Sequence, residues 1–291
     1  MHQPLAPLTL SRFPARLARL LGALALAGAL AACGSSKPAA PPGPPPDVSQ
    51  LYNHGIDALN ARRYDTAVDQ FEQLEQNYPY SNWAVNALLM QGYAEYLQNH
   101  YTDAVGTLNR YIQLHPTNNN IAYAYYLRAL CYYEQIADIQ RDQKDTQIAM
   151  AALQEVANRF PDTPYATDAR LKVDLCRDHL AGHEMEIGRW YEQQHLYEAA
   201  IGRFQGVVDN YQTTNHVPEA LERLVEIYLK LGLKQEALRT AAVLGYNYPG
   251  NSWYAIAYSD LTDHHLVQDA NGKKLPTPSG GFFARAWNSV F

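Results

Sequence analysis

YDTAVDQFEQLEQNYP, residues 64–79 of the chain, carries the pattern on which the fold depends. Ala67 lies twelve residues and Phe71 eight residues before Pro79, so both face the same side of a helix that the proline ends. Proline-ended phrases recur at residues 114–116, 159–161 and 247–249, and the alanines twelve residues before those prolines are Ala104, Ala149 and Ala237. A further copy, residues 197–200 followed by Phe204, ends at 211–212 without the proline.

The preceding helices of four repeats carry a small residue, and these residues are Gly55, Gly92, Ala129 and Gly188. Small side chains at a helix crossing allow close approach of the two axes. The five aligned copies resemble the tetratricopeptide repeat, a helix-turn-helix unit. The predicted helix pairs are 48–60 with 64–78, 82–98 with 101–114, 120–139 with 145–159, 165–194 with 197–211, and 217–231 with 234–247. The predicted fold is therefore all-α, a right-handed superhelical solenoid whose first helices line the concave face.

Two irregularities interrupt this pattern. The third repeat has a longer loop between its helices, predicted around Gln140–Asp145. The first helix of the fourth repeat is unusually long, and Ala181-Gly182 is its predicted weak point. After Pro249 a further first helix begins without a partner and is expected to cap the array, and the tail ends in GFFARAWNSVF, a docking segment or a strap on the last repeat.

The N-terminus predicts export. Arginines precede an apolar run of about thirteen residues that ends at Cys33, shorter than the roughly 20 residues of a membrane-spanning helix. The residues before Cys33 resemble a bacterial lipobox, although a signal peptide with an unrelated cysteine is the alternative. The domains expected are a signal peptide (1–32), a lipidated cysteine with a proline-rich tether (33–47), repeats (48–249, with halves 48–161 and 162–249) and a C-terminal extension (250–291).

Charge and cysteine content narrow the function classes. Without the signal arginines the chain has 20 basic and 29 acidic residues, a net charge of −9, which argues against a nucleic-acid partner. Cys131 and Cys176 lie near the middle of first helices in adjacent repeats. The separation of packed helix axes favours two buried thiols over a disulfide bridge.

The chain shows no enzyme motif, no cofactor motif and no glycine-rich phosphate loop. His179 and His183 are one helical turn apart, a spacing that can hold zinc but is more often solvated. We therefore predict neither catalysis nor a metal site. A hydrolase that uses His179 or His183 remains the alternative from a different class.

Tyrosine is the unusual residue of the composition, at 22 copies against 7 phenylalanines. The candidate peptide-binding groove comprises tyrosines at first-helix positions, namely Tyr52, Tyr93, Tyr96, Tyr126 and Tyr133. Such rings suit recognition of extended peptides, but packing between repeats is the alternative. Arg203, next to the core position Phe204, is the candidate partner-interface residue.

The chain carries a lipobox-like motif, the tether, the five repeats and the phrase HPTNNNIAYAYYLRAL. In these features it resembles the ComL-type (BamD) family of outer-membrane assembly lipoproteins. The resemblance implies a non-enzymatic subunit of the β-barrel assembly machinery, lipid-anchored on the periplasmic face of the outer membrane. The partners it implies are the POTRA region of BamA through the C-terminal repeats, other Bam lipoproteins, and unfolded outer-membrane proteins near the N-terminal repeats. Another tetratricopeptide lipoprotein, a secretin pilotin or a peptidoglycan-enzyme adaptor, is the alternative.

Overall fold

The structure, a computed structural model, describes residues 47–267. The predicted signal peptide, Cys33, most of the tether and the GFFARAWNSVF tail lie outside these residues. Within them there are eleven helices and no strand. They are α1 (Val48–Asn60), α2 (Tyr64–Asn77), α3 (Asn82–Leu97), α4 (Tyr101–Leu114), α5 (Ile121–Tyr133), α6 (Lys144–Arg159), α7 (Pro164–Gln193), α8 (Tyr197–Asn210), α9 (Val217–Lys230), α10 (Lys234–Asn247) and α11 (Ser252–Asp263).

The helices form five antiparallel pairs, and each pair packs against the next, which confirms the predicted all-α solenoid. The last helix, α11, packs against both α9 and α10. No helix between residues 47 and 267 is long and apolar enough to cross a membrane.

Close contact between the helices of a pair depends on the small residues that the sequence indicated. A Cβ added to Gly55 would lie 2.4 Å from the Phe71 ring, and one added to Gly92 would lie 2.9 Å from Leu108. Phe71 and Leu108 are themselves fully buried. The glycines and the apolar residues therefore interlock as the two sides of one crossing.

The turns of four pairs share one backbone geometry. Each has three residues, and the middle residue has a positive φ: Arg62 (57°), Asn99 (62°), His195 (59°) and Gly232 (74°). Each second helix is followed by an aromatic or histidine capping residue such as Tyr78, whose N–H still donates to the carbonyl four residues earlier. Tyr211 ends α8 in the same way without a following proline.

The third pair differs from its prediction. Its first helix ends at Tyr133, not at residue 139, and residues 134–143 form the connection. His179 Nε2 donates to the Ala137 carbonyl at 2.8 Å, and His183 Nδ1 donates to the Ile139 carbonyl. The two histidines thus hold this connection against α7.

Helix α7 runs without a break through Ala181-Gly182, so the predicted weak point does not interrupt it. A Cβ on Gly182 would lie 3.3 Å from His216 Nε2, which explains the small residue there as a close packing contact. Cys131 and Cys176 are free and buried, and burial raises their pKa values to about 12 and about 11. Both thiols are therefore unreactive packing residues.

Candidate functional site

Five half-buried tyrosines of consecutive first helices form one continuous group, which we call the tyrosine cluster: Tyr93 and Tyr96 of α3, Tyr123 and Tyr126 of α5, and Tyr165 of α7. The rings of Tyr126 and Tyr165 are stacked, with centroids 5.3 Å apart and planes at 29°. Tyr123 lies 5.5 Å from the same Tyr165 ring. The cluster therefore joins three repeats on the first-helix side of the array.

The hydroxyl groups of Tyr96, Tyr123 and Tyr126 are neutral hydrogen-bond donors at physiological pH. Burial and, to a smaller extent, the nearby Glu134 carboxylate together raise the pKa of Tyr96 to about 12. Burial also raises the pKa of Tyr123, with smaller contributions from Tyr93, Tyr165 and Tyr96. These polar tips beside half-buried rings provide both apolar contact and hydrogen bonding.

One hydrogen bond fixes the cluster across repeats. Tyr126 donates to Asp168 Oδ2 of α7 at 2.6 Å, and Lys172 Nζ pairs with the same oxygen at 2.9 Å. Burial and this bond raise the pKa of Tyr126. Burial tends to raise the pKa of Asp168, but the bond from Tyr126 and the charge of Lys172 outweigh it, so the pKa is lowered. Lys172 Nζ also lies 5.5 Å from the centroid of the Tyr133 ring.

Of the five tyrosines predicted from the sequence to form the peptide-binding groove, the structure places four together and one apart. It brings Tyr93, Tyr96 and Tyr126 together, and it places Tyr133 next to them above Lys172. Tyr52 lies with the first helix pair, where its ring packs 5.9 Å from Phe71 and 4.9 Å from Trp83.

The sequence reasoning missed Tyr123, Tyr165, Asp168 and Lys172. Tyr123 had a usable signal, because it precedes Tyr126 by three residues, as Tyr93 precedes Tyr96. Tyr165 and Asp168 had none, since they meet the cluster only through packing of α7 on α5.

The equivalent face of the C-terminal repeats is charged. Gly188 is the counterpart of Gly92, so Arg189 and Glu192 occupy the positions of Tyr93 and Tyr96. We call the group that they form with residues of α9 the ion-pair network; it comprises Arg189, Glu192, Glu219, Glu222, Arg223, Glu226 and Lys230.

Contacts in the network cross from α7 to α9. Arg189 Nη1 lies 2.8 Å from Glu219 Oε1, and Lys230 Nζ lies 3.3 Å from Glu192 Oε1. Beside them is a groove of about 260 Å³ lined by Arg189, Glu192, Gln193, His195, Arg223 and Lys230. The spacing of three and four residues between charges on α9 was a signal for this network that the sequence reasoning did not use.

Glu222 is the most constrained member of the network. Its side chain is 3% exposed, and its Oε2 has no hydrogen-bond partner within the described residues. Burial raises its pKa to about 7; Arg223 opposes the shift, while Glu226, Asp260 and Glu192 add to it.

Arg203, the predicted interface residue, is not a free cation. Its Nη1 lies 2.9 Å from Glu184 Oε2 of α7, and the side chain remains 41% exposed. A partner carboxylate would therefore meet an arginine that already has one acidic neighbour. Within residues 47–267 no group of three or more side chains is arranged to hold a metal ion.

Comparison with known proteins places this geometry in context. A family model described as an outer membrane lipoprotein (YfiO) matches residues 45–244. The outer membrane protein assembly factor BamD of Caulobacter vibrioides is 48% identical over 255 residues, which cover 87% of this chain and 84% of the relative. The BamD of Rickettsia prowazekii is 46% identical over 84% of this chain and 96% of the relative. The BamD of Neisseria meningitidis serogroup A is 34% identical over 72% of this chain and 83% of the relative.

Proposed function

The chain belongs to the YfiO family of outer membrane lipoproteins, and from that premise we propose that it is an assembly factor for outer membrane proteins. It acts as a scaffold of the β-barrel assembly machinery, which binds and positions other polypeptides and makes no covalent bond. The observation that carries the proposal is the tyrosine cluster on the first-helix face.

The client-binding region is the N-terminal half of the repeats, residues 48–161, together with the start of α7. Strands of outer-membrane barrels alternate apolar and polar residues and are rich in aromatic side chains. A receptor for many such strands needs apolar rings that accept varied partners, with hydroxyls for the exposed backbone. The half-buried rings of Tyr93, Tyr96 and Tyr126 supply the apolar surface. The hydroxyls of Tyr96 and Tyr126 donate to Glu134 and Asp168, so their oxygens are left to accept from the N–H groups of a client strand.

The partner-binding region is the C-terminal half, residues 162–249. Its ion-pair network offers paired charges of both signs, and Arg189 and Glu192 occupy the positions where the N-terminal half has tyrosines. Arg203, on the second helix α8, adds a cation that is paired with Glu184. Such a surface selects a partner by matched charge, which affects register and association rate more than affinity. The partner proposed is the periplasmic POTRA region of BamA, with other Bam lipoproteins alongside.

The protein is held on the periplasmic face of the outer membrane by lipid on Cys33. The description of the family as lipoproteins supports this. Residues 1–32 are the signal peptide, 33–47 the tether, 48–249 the repeat domain, and 250–291 the capping helix and tail. Several acyl chains bind a membrane far more firmly than one.

Site-specific crosslinking tests the client site. A photoreactive residue at position 93 or 96 should crosslink to a peptide that carries a C-terminal barrel strand. Position 73 is the control, because Gln73 is exposed on the second helix α2, away from the tyrosine cluster. Equal labelling at all three positions would refute the proposed client site.

A further inference from the structure

An acidic cleft of about 600 Å³ lies between α2, α3 and α4. Its carboxylate side chains are Asp65, Asp69, Glu72, Glu95 and Asp103. The one guanidinium at its edge, Arg110, is already paired with Glu75 at 2.8 Å. Among the residues that the structure describes, none of the five carboxylates has a basic side chain within salt-bridge distance.

Favourable interaction with a helix N-terminus explains only some of the acidic residues in the cleft. Asp65 and Asp103 lie in the first turns of α2 and α4, where a negative side chain is favourable. Asp69 and Glu72 lie further along α2, and Glu95 is in the last turn of α3, where the helix dipole disfavours an acid. The acidity of the cleft interior therefore needs a different explanation.

Two deeply buried side chains at the cleft wall have unused acceptor atoms. Glu95 is 6% exposed and Gln91 is 3% exposed. Neither Glu95 Oε2 nor Gln91 Oε1 has a hydrogen-bond partner within residues 47–267. A buried acceptor without a donor is costly, particularly when it is charged.

The orientation of the Gln91 amide is fixed by its neighbours. Its Nε2 donates to Glu95 Oε1 at 2.9 Å and to Glu72 Oε1 at 3.2 Å, so the Oε1 must be the atom that remains free. Burial raises the pKa of Glu95; side-chain hydrogen bonds from Thr107 and Gln91 to this carboxylate oppose the shift, and the charges of Asp103 and Glu72 add to it. A cation beside Glu95 would offset both the burial and the repulsion.

We propose that this cleft binds a basic segment of a partner polypeptide through an arginine or lysine side chain that donates to Glu95 Oε2 and Gln91 Oε1. A guanidinium suits two neighbouring acceptors because its N–H groups form a fixed fork. The Gln98 Nε2, also at the cleft wall, is a buried donor without an acceptor in the described part of the chain. A backbone carbonyl next to the basic side chain satisfies it, which favours a polypeptide over a free amine.

The cleft is separate from the client site. At 100° per residue, Gln91, Glu95 and Gln98 lie on roughly the opposite side of α3 from Tyr93 and Tyr96. The proposal therefore does not depend on the function assigned to the tyrosine cluster, and two ligands can be held on α3 at once.

Calorimetric titration of the full-length lipidated protein in neutral detergent, at about 0.15 M salt, tests the proposal. The probe is the peptide GSRSRSG. The matched peptide has citrulline in place of arginine, which keeps the shape and removes the charge, and spermidine is the free-amine probe. Glu95→Gln is the isosteric variant of the cleft, and Asp209→Asn is the control, since Asp209 is exposed on α8.

The arginine peptide should bind the wild type, and Glu95→Gln should weaken it about tenfold or more, because a buried charged acceptor is lost. Asp209→Asn should bind as the wild type does, and the citrulline peptide should bind at least about tenfold more weakly. Equal binding to wild type and Glu95→Gln, or equal binding of the two peptides, would overturn the proposal. Spermidine that matches the peptide in affinity and in sensitivity to Glu95→Gln would overturn the polypeptide assignment.

A second pair of variants guards against a folding defect in Glu95→Gln. Gly106 lines the cleft, and a Cβ added there meets no atom within 4 Å. Gly106→Arg places a cation of the chain itself in the cleft and should abolish peptide binding, whereas Gly106→Ala should retain it. Undiminished binding to a folded Gly106→Arg protein would contradict the proposed position of the ligand.

Discussion

Gly188 and Phe204 are in such close contact that a Cβ added to the glycine would lie 2.5 Å from Cε1 of the ring. Phe204 is fully buried in the core shared by α7, α8 and α9, so its ring cannot shift to make room for an added Cβ. The contact sets how closely the two helices of the fourth pair approach. It also holds Arg189 and Glu192, the next residues of α7, opposite their partners on α9.

Gly188→Ala should destabilise the protein. Overpacking a closed core costs about 1–3 kcal/mol, which exceeds the gain of about 1 kcal/mol from replacing a helical glycine. Gly202→Ala in the partner helix α8 is the matched control, because a Cβ there meets no atom within 4 Å, and it should be neutral or stabilising. Thermal unfolding measures both. A Gly188→Ala protein as stable as Gly202→Ala would show that the crossing is not tight.

Tyr126→Phe removes the 2.6 Å hydrogen bond to Asp168 but keeps the ring. Asp168 retains Lys172, so the loss in the free energy of unfolding should be about 1 kcal/mol. Client crosslinking from position 93 should persist in this variant, because the aromatic surface is unchanged. Tyr126→Leu removes the ring, so it should reduce crosslinking from position 93 in addition to lowering stability. Equal crosslinking in the Phe and Leu variants would assign Tyr126 to repeat packing alone.

Glu222 should make stability depend on pH. Its pKa is raised from 4.5 to about 7 in the folded state, so the folded protein keeps a proton that the unfolded chain releases. The stability contributed by this proton is full below pH 4.5 and is lost as the pH rises through about 7. Glu222→Gln should therefore be more stable than wild type at pH 8, by about 3 kcal/mol, and nearly equal to it at pH 4.5.

Unfolding curves at both pH values measure this difference. Asp209→Asn, which changes an exposed acid on α8, should show no such pH-dependent gap. A gap between Glu222→Gln and wild type that stays constant from pH 4.5 to 8 would mean that the carboxylate is not the titrating group.

The proposed lipid anchor predicts that Cys33→Ser is not lipidated, because serine has no thiol to accept the diacylglyceryl group. We expect the variant in the soluble periplasmic fraction after a high-salt wash. Wild-type retention in the outer membrane would show that partner contacts suffice for attachment or that Cys33 is not lipidated.

Arg203→Glu tests the partner surface. The substitution places an acid beside Glu184, which now lies 2.9 Å from the guanidinium, and it reverses the charge presented to a partner. Co-purification of BamA should fall. Arg203→Gln is the control for loss of the internal ion pair, which is worth at most about 1 kcal/mol at such a partly exposed site. Unchanged co-purification with Arg203→Glu would remove this residue from the interface.

The helical repeat could be read from the sequence because its determinants are local. The residues that define the repeat all lie within one helix pair. They are the small residues at the crossing, an aromatic or aliphatic residue eight positions before the proline, and the proline itself. The predicted helix bounds therefore agree with the structure to within one residue for four of the five pairs. The pairing of Gly188 with Phe204, sixteen residues apart, follows from the same short-range pattern.

Contacts between residues of different repeats or of distant segments could not be predicted, because no local sequence pattern marks them. The connection that follows α5 is held by His179 and His183, which lie more than 40 residues beyond the carbonyls that they bind. The tyrosine cluster needs Tyr165 and Asp168 from the following repeat, Arg203 finds Glu184 on a neighbouring helix, and Glu95 is buried by two helices at once. A sequence pattern fixes which side of its own helix a residue faces, but burial, pKa and hydrogen-bond partners depend on which other helices cover that side.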